Sequence, residues 1–207
     1  MTLLVYLIWY ANTLVYYGLS LNTAVHLAGD PFLNFFLLGA IEVPSYVASI
    51  YAVKWIGCRK TLIATMFGAA LGCWACPLVS AAFPDTPLLG VAAAMAGKFC
   101  VTASFAVVYV YATQLFPTVV RSIALGSSSV VGRLGSICAP YIGELASVVG
   151  YGGAMGVVGL VAAAAGLAVF PLAEATGTDM PDRPEDIEMS AVTAVVENES
   201  LKKDEES

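Results

Sequence analysis

The sequence predicts an all-α membrane protein built on six transmembrane helices. The chain of 207 residues is 59% hydrophobic and 12% charged, and its mean hydropathy is +0.82, whereas about a quarter of the residues in a soluble domain are charged. The apolar residues are gathered into segments that are each about long enough to cross the ~30 Å of hydrocarbon in a bilayer. Proline, glycine and charged residues separate these segments, as expected for loops.

Each apolar segment justifies one predicted helix. The predicted spans cover residues 3–25, 31–53, 60–82, 88–113, 121–147 and 153–172. The breaks between them read AGDP, KWIGCRK, FPDTP, LFPTVVR and GYGG. Glycine and alanine are dense in the later spans, and small residues allow membrane helices to pack closely.

The charges outside the spans predict the orientation and the domain organisation. Two loops separated by two spans carry the basic residues Lys54, Arg59, Lys60 and Arg121, so the positive-inside rule places these loops and both termini in the cytoplasm. Residues 173–207 hold eleven acidic and three basic residues, which predicts a disordered acidic tail after a transmembrane bundle over residues 1–172. This charge distribution argues against binding to nucleic acids.

Three charged residues fall near the middle of predicted spans: Glu42, Lys98 and Arg133. At 1.5 Å per residue, each lies roughly 15–18 Å from a membrane face. A charge at that depth is costly, and such residues usually have a partner or mark a substrate or ion pathway. One interpretation is a structural salt bridge between Glu42 and either base. Because one base is then left over, the other hypothesis is that Arg133 or Lys98 binds the anionic group of a solute.

The first span adds a candidate aromatic face. Trp9, Asn12 and Tyr16 are spaced three and four residues apart, so they share one side of a helix. Aromatic rings bind quaternary ammonium groups by cation–π attraction. Packing and anchoring at the membrane interface are the alternative roles of these side chains.

Enzymatic chemistry has little support in the sequence. The one histidine, His26, builds neither a catalytic triad nor a usual metal site. Cys73 and Cys76 form a CxxC inside a span, but no second ligand pair accompanies them, so they are interpreted as small packing residues. The sequence contains no phosphate-binding loop for ATP. We therefore predict that the protein is not an enzyme and uses no cofactor or metal.

Four stretches together resemble the organic cation/anion/carnitine transporter family of the major facilitator superfamily. They are HLAGDPFLNFFLLGAIEVPSY (26–46), KWIGCRK (54–60), GKFCVTASFAVVYVYATQLFPTVVRS (97–122) and PLAEATGTDMPD (171–182). The resemblance covers about residues 3–185. It implies helices seven to twelve, the C-terminal half, of a twelve-helix fold in the plasma membrane.

The resemblance also implies gating positions. Arg59, Lys60, Pro117 and Arg121 fall in the family's cytoplasmic motifs. Gln114 departs from the glutamate that usually precedes the Pro-Thr-x-x-Arg signature, so it does not supply the acid of the charge pair that the resemblance implies with Arg121 or its neighbours.

The same resemblance suggests a substrate. Arg133 falls where pure cation carriers have an aspartate and where anion and carnitine carriers have an arginine. Ala106 falls where some cation carriers have a second glutamate. Both cation-selecting acids are therefore absent, which favours a zwitterion such as carnitine, with organic anions next. Arg133 would hold the carboxylate, and Trp9 or Tyr16 the ammonium.

The predicted function is secondary active or facilitative transport of small organic ions. The driving force could be Na⁺, H⁺, exchange or the membrane potential, and the sequence does not choose among them. Membrane lipid is expected to surround the helices. Such carriers enclose a mid-membrane site between two six-helix halves, so we expect the chain to be a fragment completed by an N-terminal half. The alternative is a non-transporting half-protein that assembles with or regulates full-length carriers.

Overall fold

The computed structural model describes residues 2–26, 31–83, 87–116 and 118–172. Within them the chain forms seven helices: α1 Thr2–His26, α2 Pro31–Ala40, α3 Glu42–Ile56, α4 Cys58–Ala82, α5 Pro87–Leu115, α6 Thr118–Val149 and α7 Tyr151–Val169. The predicted tail over residues 173–207 and the motif residue Pro117 lie outside the described residues. The predictions made for them therefore stay predictions.

The second predicted span is two helices, α2 and α3, which meet at Ile41. Pro44 lies in the first turn of α3 and has no N–H to donate to the carbonyl of Ala40. The helical direction continues across the break, because the N–H of Ile41 donates to the carbonyl of Leu37 at 3.1 Å. The break makes Glu42 the first residue of α3.

Single glycines reverse the chain at two other points. Gly57 separates α3 from α4 with φ = 94°, and Gly150 separates α6 from α7 with φ = 83°. These left-handed conformations suit glycine because it has no Cβ. The basic loop around Gly57 is therefore a very short connection.

Five segments of the described residues are long and apolar enough to cross a membrane: Thr2–Thr23, Phe32–Ile56, Cys58–Ala82, Leu89–Leu115 and Tyr151–Val169. These segments agree with the predicted helical membrane fold. Helix α6 is not among them although it has 32 residues, because its serines, glycines and two arginines lower its hydropathy. The count of six spans therefore stays a prediction for α6.

Small residues hold α6 against α1. The buried side of α6 consists of Ala124, Ser128, Gly132, Gly135, Ala139, Ile142 and Ala146. A Cβ added to Gly135 would collide with the carbonyl oxygen of Tyr10, and one added to Gly132 would lie 3.0 Å from Oγ1 of Thr13. This close approach fixes the rotation of α6 and leaves Arg133 beside the contact.

Glycines also bring α4 and α5 together. A Cβ added to Gly72 on α4 would collide with the backbone of Gly97 on α5. Because Lys98 follows Gly97, this backbone contact helps to set the position of its side chain.

Candidate functional site

Lys98 on α5 and Glu42 on α3 form an ion pair between the helices. Nζ of Lys98 lies 2.9 Å from Oε1 of Glu42, and the two side chains are 2% and 24% exposed. The same Nζ donates to Oγ of Ser20 on α1 at 2.7 Å. Charges removed from water in this way are tolerated when they compensate each other and their hydrogen bonds are satisfied. The sequence allowed either Lys98 or Arg133 to form a salt bridge with Glu42, and in the structure the partner is Lys98.

Tyr16 on α1 contacts both members of this pair. Its hydroxyl donates to Oε1 of Glu42, and Nζ of Lys98 lies 3.2 Å from the centroid of its ring. An ammonium over an aromatic face is a cation–π contact. One of the two aromatic rings assigned to a solute ammonium therefore already holds the ammonium of the protein itself.

A cavity of about 250 Å³ adjoins the ion pair. Its lining is Tyr16, Tyr17, Ser20, Leu21, Phe35, Leu38, Gly39, Glu42 and Lys98. The wall is mostly apolar, with the two charges at one side. Such a wall can bury the apolar part of a small molecule and direct its polar part towards the charges.

Arg133 on α6 lies in a second cavity, of about 260 Å³, between α1, α5 and α6. Its lining is Trp9, Thr13, Tyr17, Phe105, Tyr109, Ser129, Gly132, Arg133 and Ser136. The Arg133 side chain is exposed, and no acidic side chain in the described part of the chain forms a salt bridge with it. Since Glu42 is paired with Lys98, Arg133 is the unneutralised member of the three mid-span charges.

A continuous row of aromatic rings joins the two cavities. The ring centroids of Trp9 and Tyr109 are 4.5 Å apart. Those of Tyr109 and Phe105 are 5.7 Å apart, and those of Phe105 and Tyr16 are 5.5 Å apart. Tyr17 packs edge-on against Tyr16 and lines both cavities. The two predicted aromatic residues, Trp9 and Tyr16, thus belong to one row, which begins at Trp9 and continues beyond Tyr16 to Tyr17.

Sequence reasoning missed Phe105 and Tyr109, which supply the middle of this row. A signal for them was present, because Lys98, Thr102, Phe105 and Tyr109 are spaced four, three and four residues apart. That spacing puts them on one side of α5. A search along the helix from Lys98 would have found both rings.

Asn12, the third predicted residue of the aromatic face, is fully buried. Neither its amide nitrogen nor its carbonyl oxygen has a hydrogen-bond partner in the described part of the chain, and the same is true of Nε1 of Trp9. Buried polar groups usually bond to protein, ordered water or a ligand. Asn12 does not line the Arg133 cavity, so the structure does not bring it to the side of that cavity where Trp9 lies.

The described residues for which a gating role is predicted do not line either cavity. Nη2 of Arg59, in the first turn of α4, donates to the carbonyl of Phe170 just after α7. Lys60 is exposed, and Arg121 is half-buried in the first turn of α6. The contact of Arg59 ties the short basic loop to the point where the chain leaves α7.

Comparisons with known proteins relate this arrangement to a family. A model of the Major Facilitator Superfamily matches residues 1–203. The chain is 44% identical over 147 residues to human solute carrier family 22 member 16, a match that covers 71% of this chain and 25% of that protein.

Two further relatives carry the names of their substrates. The chain is 40% identical over 189 residues to organic cation transporter 1 of Caenorhabditis elegans, covering 90% of this chain and 31% of that protein. It is 39% identical over 140 residues to human organic cation/carnitine transporter 2, covering 68% and 24%. The chain thus spans about a quarter to a third of the length of the curated relatives it matches.

Proposed function

Because the chain belongs to the Major Facilitator Superfamily, we propose that it supplies the six C-terminal membrane spans of a transporter for small organic ions. Family membership confirms the resemblance seen in the sequence, the multi-pass membrane class and the prediction that the protein is not an enzyme. The transport activity itself is proposed for the complete protein, since the relatives are three to four times longer than the matched region.

We propose a zwitterion as the substrate, with organic anions as the alternative class. The observation that carries this proposal is the pairing of Glu42 with Lys98, which leaves Arg133 without an acidic partner among the described residues. A guanidinium presents a planar fork that matches a carboxylate. A carboxylate bound there would lie in the same cavity as the rings of Trp9 and Tyr109.

The aromatic rings in the Arg133 cavity support an ammonium group at the other end of the substrate. Trp9 and Tyr109 meet edge to face in its wall, and tryptophan gives the strongest cation–π attraction. Tyr16 is a weaker candidate because Lys98 already lies over its ring. The name of one relative includes both organic cations and carnitine, which is consistent with a substrate that carries both charges.

A second six-helix half is proposed as the remaining wall of the site. Arg133, Tyr17 and Tyr109 lie at the surface of the bundle, so their cavity is open on one side. In transporters of this kind the substrate binds near the bilayer midplane, between two repeats that rock against each other. Plasma-membrane location and a cytoplasmic position for both ends of this segment belong to the same proposal, and Na⁺ or H⁺ coupling stays a prediction.

The first experiment measures uptake of labelled carnitine, a tetraalkylammonium ion and an aromatic monocarboxylate by cells that express the complete protein. We expect Arg133→Gln to lower carnitine uptake at least tenfold, because hydrogen bonds to charged groups contribute about 1.5–3 kcal/mol each. Tetraalkylammonium uptake should not fall. Arg133→Lys should keep part of the carnitine uptake, because it retains the charge but loses the fork.

Glu144→Gln is the matched control, since it removes an exposed charge from the same helix outside the cavity. Surface labelling of each variant separates loss of uptake from loss of expression. Unchanged carnitine uptake by Arg133→Gln at normal surface levels would contradict the proposed role. The alternative half-protein function predicts instead that no solute is moved by the chain, and that its co-expression changes the uptake of a full-length carrier.

A further inference from the structure

The cavity beside the ion pair has no role in the proposed substrate site. It has a volume of about 250 Å³, and its apolar lining consists of Leu21 on α1 and of Phe35, Leu38 and Gly39 on α2. We call it the Leu38 pocket, after the one of these four residues that is buried. The groups that the protein leaves available in this pocket determine what it can bind.

The polar groups on the ion-pair side of the Leu38 pocket already bond to one another. Oγ of Ser20 donates to the carbonyl of Tyr16 at 2.7 Å and accepts from Nζ of Lys98 at 2.7 Å. The hydroxyl of Tyr16 donates to Glu42, and the same carboxylate compensates the charge of Lys98. This side of the pocket therefore offers a ligand little hydrogen-bonding capacity. An apolar group loses no hydrogen bond on entering such a site, whereas a polar group does.

The Leu38 pocket and the Arg133 cavity are neighbours, because Tyr17 on α1 lines both. Phe105 is also in the wall of the Arg133 cavity. Tyr16 is in the wall of the Leu38 pocket, and the centroids of the Phe105 and Tyr16 rings are 5.5 Å apart. The two cavities therefore share an aromatic wall, and one small molecule with two parts can occupy both.

The order of the rings gives the direction of such a molecule. The proposed substrate has its carboxylate at Arg133 and its ammonium at Trp9 and Tyr109. From Tyr109 the aromatic row continues to Phe105, with 5.7 Å between the ring centroids, and from there to the Leu38 pocket. A substituent on the ammonium nitrogen that extends away from the carboxylate therefore follows the row. An alkyl chain suits this path, because it removes apolar surface from water along its whole length.

We propose that the Leu38 pocket binds an alkyl chain on the ammonium nitrogen, so that the preferred substrates are zwitterions with one such chain. This inference rests on the proposed function, from which it takes the positions of the carboxylate and the ammonium. Gly39 determines how much of the chain fits, because it lines the pocket and has no side chain. A Cβ added to Gly39 meets no atom within 4 Å, so a larger residue there would fill the pocket without a collision at Cβ.

The test measures uptake of N-alkyl-N,N-dimethylglycines by cells that express the complete protein, with methyl, butyl, hexyl and octyl as the alkyl group. Each methylene that enters the Leu38 pocket should lower KM by up to about fourfold, which corresponds to ~0.8 kcal/mol per buried CH₂. In Gly39→Leu the ratio of the KM values for the methyl and hexyl compounds should approach one, because the pocket is filled. Phe35→Ala should move the lowest KM to a longer chain, because it enlarges the pocket.

Gly126→Leu is the matched control, because a Cβ at this exposed glycine of α6 also meets no atom within 4 Å and Gly126 lines neither cavity. It should keep the wild-type dependence on chain length, since partitioning of longer chains into the membrane affects every variant equally.

Two results would overturn the inference alone: the same dependence on chain length in Gly39→Leu and Gly126→Leu, or one KM for all chain lengths in the wild type. In both cases uptake of the methyl compound that depends on Arg133 would still support the proposed function. Uptake of no zwitterion at normal surface expression would overturn the proposed function and this inference together.

Discussion

The Glu42–Lys98 ion pair and the Arg133 cavity differ in whether the basic side chain has an acidic partner within the protein. Lys98 is almost fully buried and contacts Glu42, Ser20 and the ring of Tyr16. Arg133 is exposed in a cavity and forms no salt bridge with the described residues. Both bases lie at similar depth in predicted spans. Depth in the membrane therefore does not by itself tell a structural charge from one available to a ligand.

The packing of neighbouring helices explains this difference. Lys98 follows the glycine contact between α4 and α5, which presses α5 into the bundle. Arg133 lies beside Gly132 and Gly135, whose contacts with α1 use the adjacent side of α6. The base next to the α4–α5 contact is buried against α1 and α3, and the base next to the α1–α6 contact is exposed.

The largest expected effect comes from removing the acid of the ion pair. Glu42→Gln should lower the free energy of unfolding by about 3–5 kcal/mol, because a buried lysine loses its compensating charge. Thermal unfolding of the purified protein measures the loss. Combining Glu42→Gln with Lys98→Met should recover much of it, since no uncompensated charge then remains.

Glu144→Gln serves as the control, because Glu144 is exposed and forms no salt bridge among the described residues. It should unfold like the wild type. A Glu42→Gln variant as stable as this control would show that Lys98 does not depend on Glu42, and the contrast between the two regions would fail.

An intermediate effect is expected at the contact that positions Arg133. Gly135→Ala places a methyl group against the carbonyl oxygen of Tyr10, and overpacking of this kind costs about 1–3 kcal/mol. Helix α6 must move away from α1, so carnitine uptake per molecule at the cell surface should fall together with the unfolding temperature.

Gly126→Ala on the same helix is the matched control, because a Cβ there meets no atom within 4 Å. Alanine is also favoured over glycine in a helix by about 1 kcal/mol. Its stability should be unchanged or higher. If both glycine variants behave alike, the close approach of α6 to α1 does not set the cavity.

The smallest expected effect on stability is that of Arg133 itself. Arg133→Gln should change the free energy of unfolding by no more than about 0.5 kcal/mol, as for other exposed side chains without a specific partner. Thermal unfolding alongside Glu42→Gln checks this. Destabilisation of the size expected for Glu42→Gln would give Arg133 a structural role and remove the difference between the two bases.

Much of the fold was predictable from the sequence, because membrane helices require long apolar segments. The all-helical membrane class and the family are confirmed. The division of the second span at Ile41 was missed, although Pro44 gave a local reason for it. The predicted contrast between a helical bundle and an acidic tail concerns residues 173–207 and stays a prediction.

The charged residues of the candidate site were predictable from the sequence, but the base that pairs with Glu42 was not. Spacing along the chain identified Glu42, Lys98 and Arg133 as mid-span charges, but either base could have paired with the acid. The choice depends on how α5 and α6 are rotated about their axes, and the glycine contacts that set this rotation are long-range. The same rotation brings Phe105 and Tyr109 into the aromatic row, which a search confined to the first span did not include.

The position of Lys98 over Tyr16 has a consequence for selectivity. The ammonium of Lys98 is tethered 3.2 Å from the ring centroid, so it acts as a built-in competitor at a high effective concentration. A free ammonium ion must displace it, and displacement would also strain the contact with Glu42. On the proposed function, a dissolved amine therefore meets the ammonium of Lys98 at the Tyr16 end of the aromatic row, whereas at the Trp9 end it shares the cavity with the guanidinium of Arg133.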